Sequence, residues 1–470
     1  MKYQQSIHEY LQIHKNQIIE DLKKLVKIPS VQGQAEENTP FGKDCAYALR
    51  EIQALYQVNG FDTELDEQGG YLLSYYGQGE KSVGLFAHAD VVAAGEGWIY
   101  ANPFEPVEKD GFLIGRGVLD DKSAVIMSLY ILKLIKDINI PFKSKLICFT
   151  GSNEETGMQD MQNYLKKHNA PNFSLVADTA FPLYRGNKGI LRCEIKANSP
   201  LEDILYIQGG KAMNIVLGQA EMALRFTDEI YKWLNERISN RIKLHIDNDK
   251  IILHATGISM HGALPEGSIN AGWLLADLLK DCPFICENDK NQMQFLSCAL
   301  SDIYGEKLGI ANEDPDFGKL TCSNGIIKTE NKKIFFTLDM RVGKTVKLEQ
   351  VKKTLRQNFL RRDFRIDFSV ERPANITAED NPYIQICLNT YRDFTGNKNA
   401  KTRINAGGTY AMQLPCAAEI GTTTVWGCPT AMPCGHGGAH QPDECIHIDG
   451  FLEAIELTAL MVLACDKVEG

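Results

Sequence analysis

The chain has 470 residues, 44% of them hydrophobic, enough to bury more than one core, and its length favours two or more domains. A formal net charge of −10 argues against binding nucleic acid or an anionic membrane surface. The thirteen cysteines, scattered from Cys45 to Cys465 without a CxxC pair, indicate neither a disulfide framework nor a zinc knuckle, and most are expected to be buried reduced thiols.

In chain order, the first segment sets Ile7, Tyr10, Leu11, Ile18, Ile19, Leu22, Leu25 and Val26 at helical spacing and stops at the Ile28-Pro29 boundary, which predicts an amphipathic surface helix. Its charges leave no apolar core for a signal peptide, and no later stretch has the eighteen or so apolar residues of a membrane span. A soluble, cytoplasmic protein is expected. From about 80 to 180, apolar strands (81–89, 145–150, 173–177) alternate with helical stretches (123–137, 156–168), the signature of a parallel sheet covered by helices. Ligands of such sheets bind at the carboxyl ends of the strands. From 187 to 384 the texture changes to strand-rich segments (190–197, 243–253, 333–341) and long polar helices, with no acidic residue closing an apolar strand. This is read as a second α/β domain, of two similar halves, inserted into a first domain made of 1–186 and 385–470. The first domain resumes with a helical segment, the turn Ala406-Gly407-Gly408-Thr409 and a final helix over 450–465.

Candidate chemistry collects at the predicted strand ends. GLFAHADVV offers His88 and Asp90, GRGVLDDKS offers Asp120, ICFTGSNEETG offers Glu154 and Glu155, FSLVADT offers Asp178, and CGHGGAHQPDE, before the last helix, offers His440. Imidazoles and carboxylates without thiolate suit a pair of divalent metals in hydrolytic chemistry. His-x-Asp puts both side chains on one face of a strand end, so the aspartate can hold the second ring nitrogen. The same tripeptide recurs at His245-Ile-Asp247 and His447-Ile-Asp449, and what distinguishes His88 is its setting among acidic strand ends. Vicinal glutamates are ordinarily first-turn or solvated charges. A hydrolase, however, needs one carboxylate as ligand and another, free of metal, as general base. Asp120 at a helix start is ordinarily a cap; the sharper reading is a metal bridge. His436 and His440 have helical zinc-pair spacing, but Gly435, Gly437 and Gly438 oppose a helix there, which leaves His440.

Taken together, HADVV-x4-GW, GRGxLDDKS, GSNEETG, VADTAFP and AHxxxE, in this order, resemble the aminoacylase and carnosinase type of dinuclear metallopeptidase, peptidase family M20. The nearest resemblance is to its single-chain cytosolic PepV-like dipeptidases, and GGKAMNIV, GISMHGALPEGSINA, LDMRVG and NAGGTY extend it through the insertion. The resemblance implies a zinc-exopeptidase-like α/β/α catalytic domain with an inserted α/β lid, acting as a monomer on dipeptides. It implies two divalent ions, zinc first with manganese or cobalt as alternatives. His88 and Asp178 would bind one, Glu155 and His440 the other, and Asp120 both. It further implies Glu154 as general base, Asp90 behind His88, His261 as oxyanion donor, Asn214 and Arg341 on the substrate carboxylate, Gly407 and Gly408 lining the pocket, and a cis bond between Asp120 and Asp121. Departures from the pattern are Ala93 and Leu217 where proline is usual and Ser123 where glycine is usual; none removes a ligand. An N-acyl amino acid deacylase uses the same site and is the first alternative. A non-catalytic metal-dependent binder is the second, and it has no use for a metal-free Glu154.

Overall fold

The computed structural model describes residues 2–468. The chain divides into two compact units, Met1–Asn187 with Ile376–Gly470, and Lys188–Asn375. The return to the first unit therefore falls at 376 and not at 385. Thr377 causes this: its N–H donates to Arg185 O (2.8 Å) and its hydroxyl to Ala417 O (2.8 Å), which fastens the chain to the first unit before the helix Pro382–Thr395 starts.

The first unit is built on a nine-stranded sheet. Its middle strands, Lys145–Gly151, Ser82–His88, Phe173–Thr179 and Ala417–Gly421, lie side by side and parallel. Alternation of side chains along each strand divides the apolar residues between two faces. Val83, Leu85, Ala87, Leu146, Cys148, Leu175, Ala177, Ala418 and Ile420 join one core with the helices Gln4–Val26, Lys43–Val58, Lys122–Asp137 and Ile448–Cys465. Phe86, Ile147, Phe149, Val176 and Ala417 face the other, packed on Met161 and Tyr164 of the helix Gln159–Lys167 and on Tyr410. His88 and Asp178 continue the Phe86 and Val176 alternation.

The first helix buries all eight of the apolar residues that predicted it. The helix expected from 156 starts instead at Gln159, because Gly157 (φ 158°) and Met158 (φ 58°) stand outside helical backbone. The last helix, Ile448–Cys465, is buried nearly all round and is capped by His447, whose Nδ1 accepts from Gly450 N at 3.0 Å. Leu457 at its centre is fully buried, so Leu457→Ala should cost about 2–5 kcal/mol. Among the described residues no helix is long and apolar enough to cross a membrane.

The second unit holds two larger sheets and the short ribbon of Glu313–Asp314 with Gly318–Lys319, all antiparallel. One orders Ile204–Gln208, Gln219–Arg225, Lys250–Thr256 and Ile242–Asp247; the other orders Thr321–Ser323, Lys333–Val342, Gly189–Ala197 and Phe364–Arg372, with Ile327–Glu330 also on Lys333–Val342. The segment read as one strand, 243–253, is a hairpin that turns at Asn248 in left-handed backbone (φ 53°), a conformation asparagine tolerates. Four helices, Asp228–Asn235, Ala271–Leu279, Glu287–Leu300 and Leu348–Leu360, pack their apolar faces into the same core as both sheets.

Candidate metal centre

Parallel strands end on one edge of a sheet, and in the first unit that edge collects the predicted ligands. His88 closes Ser82–His88, Asp178 is next to last in Phe173–Thr179, and Glu154 and Glu155 stand in the turn after Lys145–Gly151. Asp120 precedes Lys122–Asp137 across a cis bond to Asp121, and His440, in left-handed backbone (φ 64°), comes from the loop before the last strand. The donor atoms form two groups, His88 with Glu154 and Asp178, and Asp120 with Glu155 and His440, each group within 4.8 Å. Asp120 reaches both: Oδ1 is 3.1 Å from His88 Nε2, and Oδ2 is 3.2 Å from His440 Nε2. Asp178 Oδ1 lies 3.8 Å from His88 Nε2, and Glu155 Oε2 lies 3.0 Å from His440 Nε2.

Burial and crowding set the electrostatics. Burial, then the charge of Asp178, pushes the Glu154 carboxyl well above the usual range; burial also raises Glu155, and burial with Asp120 raises Asp178. Hydrogen bonds to Asp120 and Glu155 push His440 up to about 11. Burial opposes a charged His88, yet Asp120, Asp178 and Asp90 outweigh it and raise that ring as well. Four carboxylates pressed together out of water favour cations among them. Moreover, His88 Nε2 and Glu154 Oε1 are buried without a well-formed hydrogen bond. Donors of nitrogen and oxygen only, orphaned atoms and excess negative charge fit two hard or borderline divalent ions.

Asp90 holds the site differently from expectation. His88 Nδ1 meets the main-chain carbonyl of Asp90 at 2.9 Å, while the carboxylate, 3.5 Å from that nitrogen, accepts instead from Glu154 N and Glu155 N, both at 3.1 Å. Those amides sit at the mouth of a tight turn and need acceptors, which explains the substitution of roles. Asp160, absent from the sequence-derived site, does the same for Ser152 N (2.7 Å) and Asn153 N (2.9 Å) and takes a hydrogen bond from Tyr410 OH at 2.5 Å. Glu444, equally unassigned, accepts from Asp120 N at 3.1 Å. The turn Gly407-Gly408 is held through Gly407 N to Asn405 Oδ1 (2.8 Å) and through the Thr409 hydroxyl, which donates to buried Glu419.

The remaining histidines find other partners. His436 bonds Asp443 at 2.7 Å, His245 stacks on His254, and His447 caps the last helix. Within the second unit, Asn214 and His261 are brought together by a bridge of their segments, with Gly262 N donating to Asn214 O at 2.7 Å. Arg341 is buried on the polar face of Lys333–Val342, its Nη2 2.9 Å from Asp339, and Asp339 also pairs with Arg192 at 3.4 Å. Burial, then the charge of Arg341, lowers the His261 pKa. Its Nδ1 is 3.2 Å from Ala263 N, a donor, so neutral His261 carries its proton on Nε2.

This geometry is that of a candidate centre for two metal ions. The family model described as "Peptidase family M20/M25/M40" matches residues 84–464, and the chain belongs to that family. A "Putative dipeptidase" of Staphylococcus aureus (strain USA300) is 27% identical over 434 residues, covering 88% of this chain and 91% of its own. In fold, the chain is similar to human carnosine dipeptidase 1 (TM-score 0.61, 12% identity, all of both chains). It is likewise similar to the di-peptidase Dug1p from Saccharomyces cerevisiae (TM-score 0.60, 14% identity, all of both chains). The protein is a peptidase of a metal-dependent family, and the two donor groups are its candidate metal-binding residues.

Proposed function

We propose that the protein hydrolyses the peptide bond of dipeptides, with zinc as working metal and manganese or cobalt able to replace it. The observation that carries this reading is Asp120, with one carboxylate oxygen toward each imidazole and buried Glu154 beside them. His88 and Asp178 would hold one ion, Glu155 and His440 the other, and Asp120 both. Two such ions, when bound, acidify a water and polarise the scissile carbonyl. Glu154 takes the proton of the attacking water on its carboxylate and delivers it to the nitrogen of the leaving amine. Burial raises the basicity of Glu154, which favours that exchange.

The role proposed for His261 is to donate its Nε2 proton to the oxyanion, which its lowered pKa supports because the ring stays neutral. The Arg341 fork, oriented by Asp339, takes the substrate's carboxylate together with Asn214, and Gly407 and Gly408 let the substrate backbone approach. The active species in this reading is a monomer, and thirteen free thiols suit a reducing cytoplasm. The test is a panel of unblocked dipeptides and N-acetyl amino acids, assayed after chelation and after adding back zinc, manganese or cobalt. Cleavage of dipeptides that depends on added metal is expected. Cleavage of acetylated amino acids alone would replace the reading with a deacylase.

A further inference from the structure

The turn that carries Asp120 and the loop that carries His440 are more than three hundred residues apart in sequence, and one side chain joins them. Glu444 is fully buried. Its Oε1 accepts from the main-chain N–H groups of Gly117 (3.0 Å), Leu119 (2.9 Å) and Asp120 (3.1 Å). Its Oε2 accepts from Nη1 of buried Arg116 at 2.6 Å, and its own carbonyl accepts from Gly115 N at 2.9 Å. The residue before it, Asp443, anchors the same loop on Ile99 N (3.0 Å) and Tyr100 N (2.9 Å).

Four hydrogen bonds commit this carboxylate to its own neighbours. Charge-assisted hydrogen bonds oppose its desolvation in part, and what these bonds fix is the backbone from 117 to 120. Ligand distances in metal sites tolerate only about 0.2 Å, so the backbone of a bridging ligand must be held. Glu444 holds it from a point four residues beyond His440.

We infer that Glu444, with Arg116 as its counter-ion, is a positioning residue that sets Asp120 against His440 for the cation held by Asp120, Glu155 and His440. The inference rests on the two-metal reading above. The test titrates Co(II) into metal-stripped wild type, Glu444→Asp and the double variant Glu444→Gln/Arg116→Met, followed by calorimetry and d–d absorption, with thermal unfolding of each metal-free protein. Glu444→Asp keeps the charge against Arg116 but cannot span to the three amides; the double variant removes both charges and leaves neither orphaned. The expected result is that each metal-free variant folds, with a lowered unfolding temperature, while one of two Co(II) ions binds roughly 10–100-fold more weakly, with an altered d–d spectrum. Wild-type affinity and spectrum for both ions in both variants would overturn the inference. So would variants that fail to fold and are not rescued by Co(II), since Glu444 would then be a structural clamp only. Fewer than two Co(II) ions in the wild type would instead overturn the two-metal reading itself.

Discussion

The two units of this chain handle buried charge in opposite ways. In the first, parallel strands deliver His88, Asp178 and the Glu154–Glu155 turn to one edge of the sheet, so like charges are concentrated and four carboxylates share a small volume. In the second, strands are antiparallel and successive strand ends point to opposite edges; its buried Asp339 is answered by Arg341 and Arg192 on the same and neighbouring strands, and its buried Asp289, grouped with Asp203 and Cys286, accepts from the main-chain N–H groups of Glu202, Asp203 and Ile204. Parallel strand ends gather acids at one edge, whereas a single buried acid with an arginine beside it, Asp339 with Arg341 or Glu444 with Arg116, is neutralised by the protein. On the proposed function, the first unit supplies the metal ligands and the general base, and the second supplies His261, Asn214 and Arg341.

The largest effect that would sharpen this comparison is at Glu154. Glu154→Gln keeps size but removes basicity, and turnover should fall by roughly 10²–10⁴ with metal content unchanged. Loss of a metal in this variant would exchange its role with that of Glu155. Next comes His261. Its replacement by Ala should cost roughly 10²–10³ in kcat. Mixing His261→Ala with Glu154→Gln chains should restore nothing if each chain works alone, whereas recovered activity would show that subunits share residues. Arg341→Met should lower kcat/KM about 10–100-fold for free dipeptides and little for dipeptide amides, the weight of a charged hydrogen bond. Equal penalties would make Arg341 structural and break the division of labour. The smallest effect is spectroscopic: burial and then Arg341 hold the His261 ring below its ordinary 6.5, so NMR titration should find its pKa raised in Arg341→Met. An unmoved value would mean that burial alone sets it.

Much of this was legible because parallel α/β order and strand-end acids leave marks in sequence. His88 was readable only through its surroundings, since His245 and His447 carry the same tripeptide. Residues that act by accepting main-chain N–H groups were not readable. Asp160 stands in an ordinary helix start, and the Asp90 carboxylate turned to Glu154 N and Glu155 N because that turn had amides to satisfy. Glu444 did leave a trace, as an acid four residues after His440 beside the apolar pair Cys445-Ile446, but nothing in spacing says that its partners lie near Asp120. The return to the first unit was placed nine residues late because Thr377, which makes the connection, looks like any loop threonine.

Asp120 as the bridge between two donor groups is the claim on which the rest depends. Equilibrium dialysis of metal-stripped protein against zinc, followed by elemental analysis per chain, tests it most directly. Two zinc ions per chain are predicted for the wild type and for Glu154→Gln, and fewer than two for Asp120→Asn. A wild type that holds one ion or none, or an Asp120→Asn variant that still holds two with undiminished affinity, would contradict the account.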